Sequence, residues 1–288
     1  MKHSKAKLTL IAVLCLALVG LALAPAALAK DKVKLVYVEW SCATASTHLA
    51  QAVIQEKLGY DAQTLAVSAA AMWQAVASGD ADAFTTAWLP TTHGHYYKQV
   101  KDKVVNLGHM LVGTRIGLVV PTYVTIDTIG EMEGTHEKFD DKIVGIDPGA
   151  GIMSKTEKAI KDYDLKSFKL IESSGAAMTA ALANAIKKEE WIAVTGWTPH
   201  WKFGRWDLKY LEDPKNVYGG EEYIDIIVRQ GLKKDMPKVY NFLSNFKLSP
   251  AELQSLMAEN QKKGADPYKN AVAWMKANQD KVNSWLGK

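Results

Sequence analysis

Thr85-Thr-Ala-Trp88-Leu-Pro90 and Val194-Thr-Gly-Trp197-Thr-Pro199 are one phrase written twice, 109 residues apart: a short strand-forming run, a tryptophan, one residue and a proline. Three further pairs precede them in the same order. Lys34-Leu-Val-Tyr-Val-Glu39 is answered by Lys142-Ile-Val-Gly-Ile-Asp147 at an offset of 108, Leu58-Gly-Tyr60-Asp61 by Lys161-Asp-Tyr163-Asp164 at 103, and Ser68-Ala-Ala-Ala-Met72 by Ser174-Gly-Ala-Ala-Met178 at 106. Ordered matches at near-constant spacing read as two structurally similar halves.

Each half reads as strand, helix, strand, helix, strand. In the first, strands over 35–38, 63–67 and 83–88 alternate with helices over 47–58 and 69–77, the latter ended by Gly79-Asp80. The second repeats this with strands over 142–146, 168–171 and 191–197 and helices over 154–163 and 176–187. Such alternation implies a mostly parallel sheet covered on both faces in each half. Two extended runs remain, Arg115-Ile-Gly-Leu-Val-Val-Pro121 and Tyr223-Ile-Asp-Ile-Ile-Val-Arg229, which read as two hinge crossings. Three helices follow, over 238–246, 250–261 and 267–285; the middle one opens on Ser249-Pro-Ala-Glu252, a capping box with proline in the first turn, and the last on Asp266-Pro267. The predicted fold class is therefore α/β with two lobes and a ligand cleft between them. Lobe I takes 30–117 plus 226–288, and lobe II takes 118–225.

Composition narrows the setting. The chain has 288 residues, of which 48% are hydrophobic and 23% charged, which excludes a disordered protein or a coiled coil. Residues 1–29 have the order of a secretory signal: a basic start at Lys2, Lys5 and Lys7, an uncharged apolar run from Leu8 to Ala24, and Ala27-Leu28-Ala29 as a small-x-small exit. Cleavage after Ala29 takes the formal charge from +4 to +1, so the mature chain has no sequence-wide electrostatic reason to bind nucleic acid. An uncleaved membrane anchor is the alternative reading of this stretch. Cys15 follows Leu14 where a lipobox wants a small residue, so no lipid anchor is expected there. Cys42 then remains alone and forms no internal disulfide, which leaves the mature chain to its hydrophobic core. The expected location is the periplasm.

In sheets of this kind ligands sit outside the carboxyl ends of the strands. Trp40, Trp88 and Trp197 all fall there, the last two at the repeated strand end before x-Pro. A quaternary ammonium spreads a permanent charge over methyl groups and has no N–H to donate. Indole faces attract that charge and bury the methyls, at about 0.5–2 kcal/mol per ring. Lobe closure would bring rings of one lobe onto a ligand held by the other.

At these residues the sequence resembles a known family. Ala87-Trp88-Leu-Pro-Thr-Thr-His93, Gly145-Ile-Asp-Pro-Gly-Ala-Gly151, Ser174-Gly-Ala-Ala-Met178 and Gly196-Trp197-Thr-Pro-His-Trp201 resemble the glycine betaine-binding proteins of osmoprotectant ABC importers, over essentially the whole mature chain. The resemblance implies a two-lobe periplasmic binding protein of type II that delivers a compatible solute to an ABC permease driven by a separate ATPase, without a cofactor and as a monomer. It carries over Trp88 and Trp197 as aromatic-box residues, with Trp40 matching the box tryptophan of related choline binders. Those choline binders have Asp two residues after that tryptophan, where this chain has Cys42. Betaine binders use main-chain N–H groups of this loop to hold the ligand carboxylate, so the resemblance gives that role to the amides of Cys42 and Ala43. Two further tryptophan positions of some members read Leu248 and Ala150 here, which leaves Trp40 to complete the box.

Other candidates carry less. His200, beside the box, could donate to a carboxylate. His93-Gly-His95 lacks an evident third metal ligand, and His93 reads as a polar turn or helix-start residue. Cys42 with His48 lacks a motif that orients a base, so no enzyme is expected. Gly149-Ala-Gly151 lacks the full dinucleotide pattern and reads as support for a ligand loop. Trp73 and Trp191 read as packing, and Trp201, Trp206, Trp274 and Trp285 have no assignment. The expected ligand is glycine betaine or a related zwitterion; choline, carnitine, proline betaine and dimethylsulfoniopropionate are alternatives, and an exported enzyme acting on such a compound is the other class.

Overall fold

The structure is a computed structural model that describes residues 32–288; the export signal read over 1–29 lies outside the described residues. Both halves of the echo fold in the order anticipated, with one shift: the first helix, expected over 47–58, begins at Ser41, and its last turn, Ile54–Leu58, is a π-helix. Strands β1 (Lys32–Tyr37), β2 (Asp61–Ala66) and β3 (Ala83–Leu89) alternate with the helices Ser41–Val53 and Ala69–Ser78. In the second half β5 (Lys142–Val144), β6 (Lys169–Ile171) and β7 (Ala193–Thr198) alternate with the helices Gly151–Asp162 and Gly175–Lys188. The echoed serines do the same work. Ser68 accepts from the amide of Ala71 and Ser174 from that of Ala177, each capping its helix. The echoed Met72 and Met178 are both fully buried.

The sheet order repeats too. β2-β1-β3 and β6-β5-β7 are parallel trios, and each is continued by one antiparallel strand: β9 (Glu222–Arg229) beside β3, and β4 (Val104–Pro121) beside β7. β8 (Leu208–Tyr210) adds to the far end of β4. The mostly parallel reading is thus right for each trio and incomplete for the whole. β4 belongs to both groups: it pairs with β9 up to Thr114↔Glu222 and with β7 from Arg115↔Thr198 onward. The two runs read as crossings lie on opposite sides of this exchange, 115–121 against β7 and β8, and 223–229 against β3 and β4. The chain passes between the groups at the start of each run.

The C-terminal helices return to the first group. The helix Pro267–Ala277 packs on Ser41–Val53, and Tyr268 donates to Glu56 at 2.9 Å. Ser249 and Glu252 form the capping box read from sequence. The single helix expected over 267–285 is instead two, Pro267–Ala277 and Gln279–Trp285, broken at Asn278 (φ −123, ψ 45). The break lets Trp285 stack on Trp274 with centroids 5.9 Å apart and planes 5° from parallel. Eleven residues on an unbroken helix would separate them by about 16 Å along the axis.

Candidate functional site

The loops at the carboxyl ends of both trios meet around one small, tight cavity of about 30 Å³. From the first group come Trp40, Cys42, Trp88, Thr92 and His93; from the second come Ile146, Ala150, Gly151, Ile152 and Trp197, with Ile116 of β4 between them. Trp40 N-caps the helix Ser41–Val53 in extended conformation (φ −78, ψ 143). Trp88 and Trp197 are each the penultimate residue of a strand, opposite Ile224 and Ile116, and each is followed by one residue and a cis proline, Pro90 and Pro199. All three indoles are at least 95% buried. The repeated phrase therefore puts the two rings on the same cavity.

Four contacts tie the two groups together here. Trp40 Nε1 donates to Asp147 Oδ1 at 2.8 Å, Tyr96 Oη to the carbonyl of Gly149 at 2.9 Å, and Trp201 Nε1 to Ser41 Oγ at 3.2 Å. The fourth is steric. A Cβ on Gly151 would stand 2.1 Å from the carbonyl oxygen of Thr92, so only glycine admits this approach. The Thr92 loop is itself fixed by Glu222, a buried carboxylate that accepts from the amides of Thr91 and Thr92 at 2.7 Å each and from the Thr92 hydroxyl.

Not all six residues expected at the site line it. Trp40, Cys42, Trp88 and Trp197 do; Ala43 and His200 are buried beside it. His200 turns its Nδ1 to the amide of Lys202 at 3.1 Å and its ring edge-on to Trp197 at 4.8 Å. His93, read as a helix-start residue, is indeed the N-cap of Gly94–Val100, but it also lines the cavity. Its Nδ1 accepts from the amide of Trp88 at 3.2 Å, so in the neutral ring Nε2 carries the proton. Burial pushes the His93 pKa down to about 3, so the neutral ring is the form present near pH 7. A signal for it existed in the sequence: in both halves a histidine follows the Trp-x-Pro phrase. The packing read for Trp73 and Trp191 holds, against Phe84 and Phe139 respectively.

Cys42 stands where a carboxylate would make the site anionic, and burial pushes its thiol up to about 11, against the lowering influence of the amides of Ala43 and Cys42 and of the indoles of Trp88 and Trp197. Trp197 Nε1 lies near the sulfur without forming a hydrogen bond. No side chain that lines the cavity carries a charge near neutral pH. Polar capacity comes from backbone: the helix Gly151–Asp162 begins at the cavity, its first internal bond of the turn runs from Met153 to Ala150, and the N-cap Ala150 has no side chain to satisfy the amides of Gly151 and Ile152. Among the described residues no cluster of metal-ligating side chains occurs.

A family model for the substrate-binding domain of ABC-type glycine betaine transport systems, OpuAC, matches residues 31–277. The chain belongs to this family. Over 151 residues it is 50% identical to the glycine betaine/carnitine transport binding protein GbuC of Listeria monocytogenes serotype 1/2a (strain 10403S). That stretch is 52% of this chain and 50% of GbuC, so the match spans about half the length of this relative. The lactococcal OpuAC crystal structure, in a closed-liganded conformation with glycine betaine, superimposes with a TM-score of 0.84 at 40% identity, covering 89% of this chain and 99% of that one. The ProX protein of Borrelia burgdorferi, a glycine/betaine/L-proline-binding protein, gives 0.86 at 40% identity, covering 89% and 97%. The two groups of strands are thus the two lobes of an OpuAC-type binding protein, and the cavity lies between them. OpuAC domains are extracytoplasmic substrate-binding components of transporters. Among the described residues of this one, no helix is long and apolar enough to cross a membrane.

Proposed function

We propose that this chain captures glycine betaine, or a closely related quaternary ammonium zwitterion, and presents it to the permease of an ABC importer. The observation that carries the reading is three indoles around a cavity without a charged side chain. A trimethylammonium group has what it needs there: π-faces worth about 0.5–2 kcal/mol each and apolar walls for its methyls. Three rings thus supply a substantial part of the roughly 8 kcal/mol that a micromolar ligand requires. A zwitterion fits better than a net cation, because nothing in the lining balances a lone positive charge. For the ligand carboxylate we assign the amides of Gly151 and Ile152 together with His93 Nε2–H. The amides of Cys42 and Ala43, to which the family resemblance gives this role, face the Cys42 sulfur instead.

The reading includes release of residues 1–29 by cleavage after Ala29, a monomeric periplasmic form, and capture without chemical conversion. The lobes are proposed to part at the exchange of partners on β4, with lobe I as 32–114 and 222–288 and lobe II as 115–221, a few residues from the 117/118 and 225/226 divisions expected from sequence. Titration calorimetry of the purified chain with glycine betaine, choline, carnitine and proline betaine tests the assignment. Micromolar or tighter binding of betaine, with choline weaker, is the expected result. A preference for choline over every zwitterion, or turnover of any of the four, would overturn it.

A further inference from the structure

Lys202 differs from every other fully or nearly fully buried charged side chain among the described residues. Asp82 is paired with Arg229 at 2.7 Å, Asp225 accepts from Asn106 and His109 at 2.6 Å each, and Glu222 accepts from three donors. Lys202 is completely buried and its Nζ has no hydrogen-bond partner. Its neighbours are aromatic: Nζ stands 4.5 Å from the ring centroid of Trp197 and 5.5 Å from that of Phe203. A Cβ on Gly196 would be 3.5 Å from it, an ordinary contact, so the amine lies close against β7. Lys202 touches a box indole and yet does not line the cavity, so its amine occupies the protein side of that ring.

The ionisable groups around it offer no counter-charge. Cys42 reaches toward it from the helix Ser41–Val53 and is held as a neutral thiol; His200, in the same loop, is held neutral by burial and then by Lys202 itself. Further out, Arg205 lies over Trp201 and Trp206 and Arg115 over Tyr210, both cations, while the helix Pro250–Asn260 presents Ala251, Gln254, Ser255 and Ala258 to this loop.

We propose that Lys202 is a specificity-determining residue: as an ammonium behind Trp197 it opposes any cation laid on the cavity side of the same ring, so that the box retains ligands whose own carboxylate compensates and refuses net cations. The inference rests on the reading that a quaternary ammonium sits against Trp197. Two cations on one indole compete for a single π-cloud and repel each other through a low-dielectric gap. A zwitterion recovers that loss at the Gly151 helix start, whereas choline has nothing with which to recover it. The opposition is adjustable, because burial brings the Lys202 pKa down to about 7. Below that pH the ammonium dominates and net cations are refused; above it the neutral amine leaves the ring to the ligand. Ligand affinity therefore rises with pH, more for choline than for betaine, and binding near pH 7 expels a proton.

Calorimetry of glycine betaine and choline against the wild-type chain and Lys202→Met, from pH 5.5 to 8.5 in two buffers of different ionisation enthalpy, tests this; Lys202→Gln stands in if the Met variant does not fold. In the wild type, choline affinity is expected to rise roughly tenfold over that range, betaine affinity to rise less, and protons to be released on binding. In the variant both profiles are flat, no proton is released, and the betaine-to-choline ratio narrows. Flat profiles in the wild type, an unchanged ratio in the variant, or choline undetectable throughout in both proteins would overturn the role of Lys202 while leaving betaine capture intact. Absence of betaine binding at every pH would instead remove the ligand assignment and this inference together.

Discussion

The two lobes carry the same phrase, strand, tryptophan, one residue and cis proline, and part ways immediately after it. In lobe I the chain continues Thr91-Thr92-His93, is held by the Glu222 carboxylate from the hinge strand, and turns His93 into the cavity. In lobe II it continues His200-Trp201-Lys202, turns His200 onto the Lys202 amide instead of the cavity, and buries an unpartnered amine behind its indole. The repeat thus fixes where the rings stand, and the three residues beyond the proline fix what electrostatic environment each ring has. One loop rests on a buried charge that accepts from three donors, and the other contains a buried charge without a hydrogen-bond partner.

The largest effect that tests this comparison comes from the rings themselves. Trp88→Ala and Trp197→Ala should each weaken betaine binding by on the order of 100-fold, since cation–π attraction and apolar burial are lost together. Calorimetry of both variants decides whether the box is two-sided: an undiminished affinity in either one breaks the symmetry. Next come the two buried charges, which should respond with opposite sign. Glu222→Gln leaves three donors facing a weaker acceptor and is expected to lower unfolding stability by about 2 kcal/mol, read by urea denaturation. Lys202→Met removes an uncompensated charge and should raise stability. The folded-state pKa of this lysine lies below its unfolded value, so its penalty is full below about pH 7 and fades as pH rises toward 10.5, and the gain from Met should follow the same course. Two losses of similar size would abolish the contrast between the loops. The smallest effect belongs to Gly151→Ala. Its Cβ meets the Thr92 carbonyl only when the lobes are together, so betaine affinity should fall roughly tenfold while the melting temperature of the ligand-free chain stays within a degree or two. A matched fall in both would mean that the contact serves the fold rather than closure.

The sequence shows its lobes plainly because the echo preserves features that act locally. Ser68 and Ser174 cap, Met72 and Met178 fill the core, and Trp88 and Trp197 end strands, each by a mechanism that needs only neighbours in the chain. What it hides depends on residues brought together from afar. Glu222 meets Thr92 across 130 positions, Asp147 meets Trp40 across 107, and no periodicity connects them. Lys202 looks like a solvated lysine in any window of sequence, and only packing against β7 and the helix Ser41–Val53 removes it from water. His93 and His200 mislead in a complementary way. Each follows its lobe's Trp-x-Pro phrase, three residues after Pro90 in one case and directly after Pro199 in the other, and the direction of each ring follows from the backbone amide from which its Nδ1 accepts, that of Trp88 and that of Lys202.

One ladder pair has a bearing on how such a molecule could have arisen. Thr114 and Glu222 face each other across β4 and β9, so the segment between them leaves and re-enters lobe I at adjacent points. A segment whose two ends already touch can be gained or lost with little change to the host, which is the condition under which domain insertion succeeds. The same adjacency means that lobe II hangs from its host by a double stem, and that Glu222, at the root of one strand of that stem, sits within reach of both the attachment and the Thr92 loop.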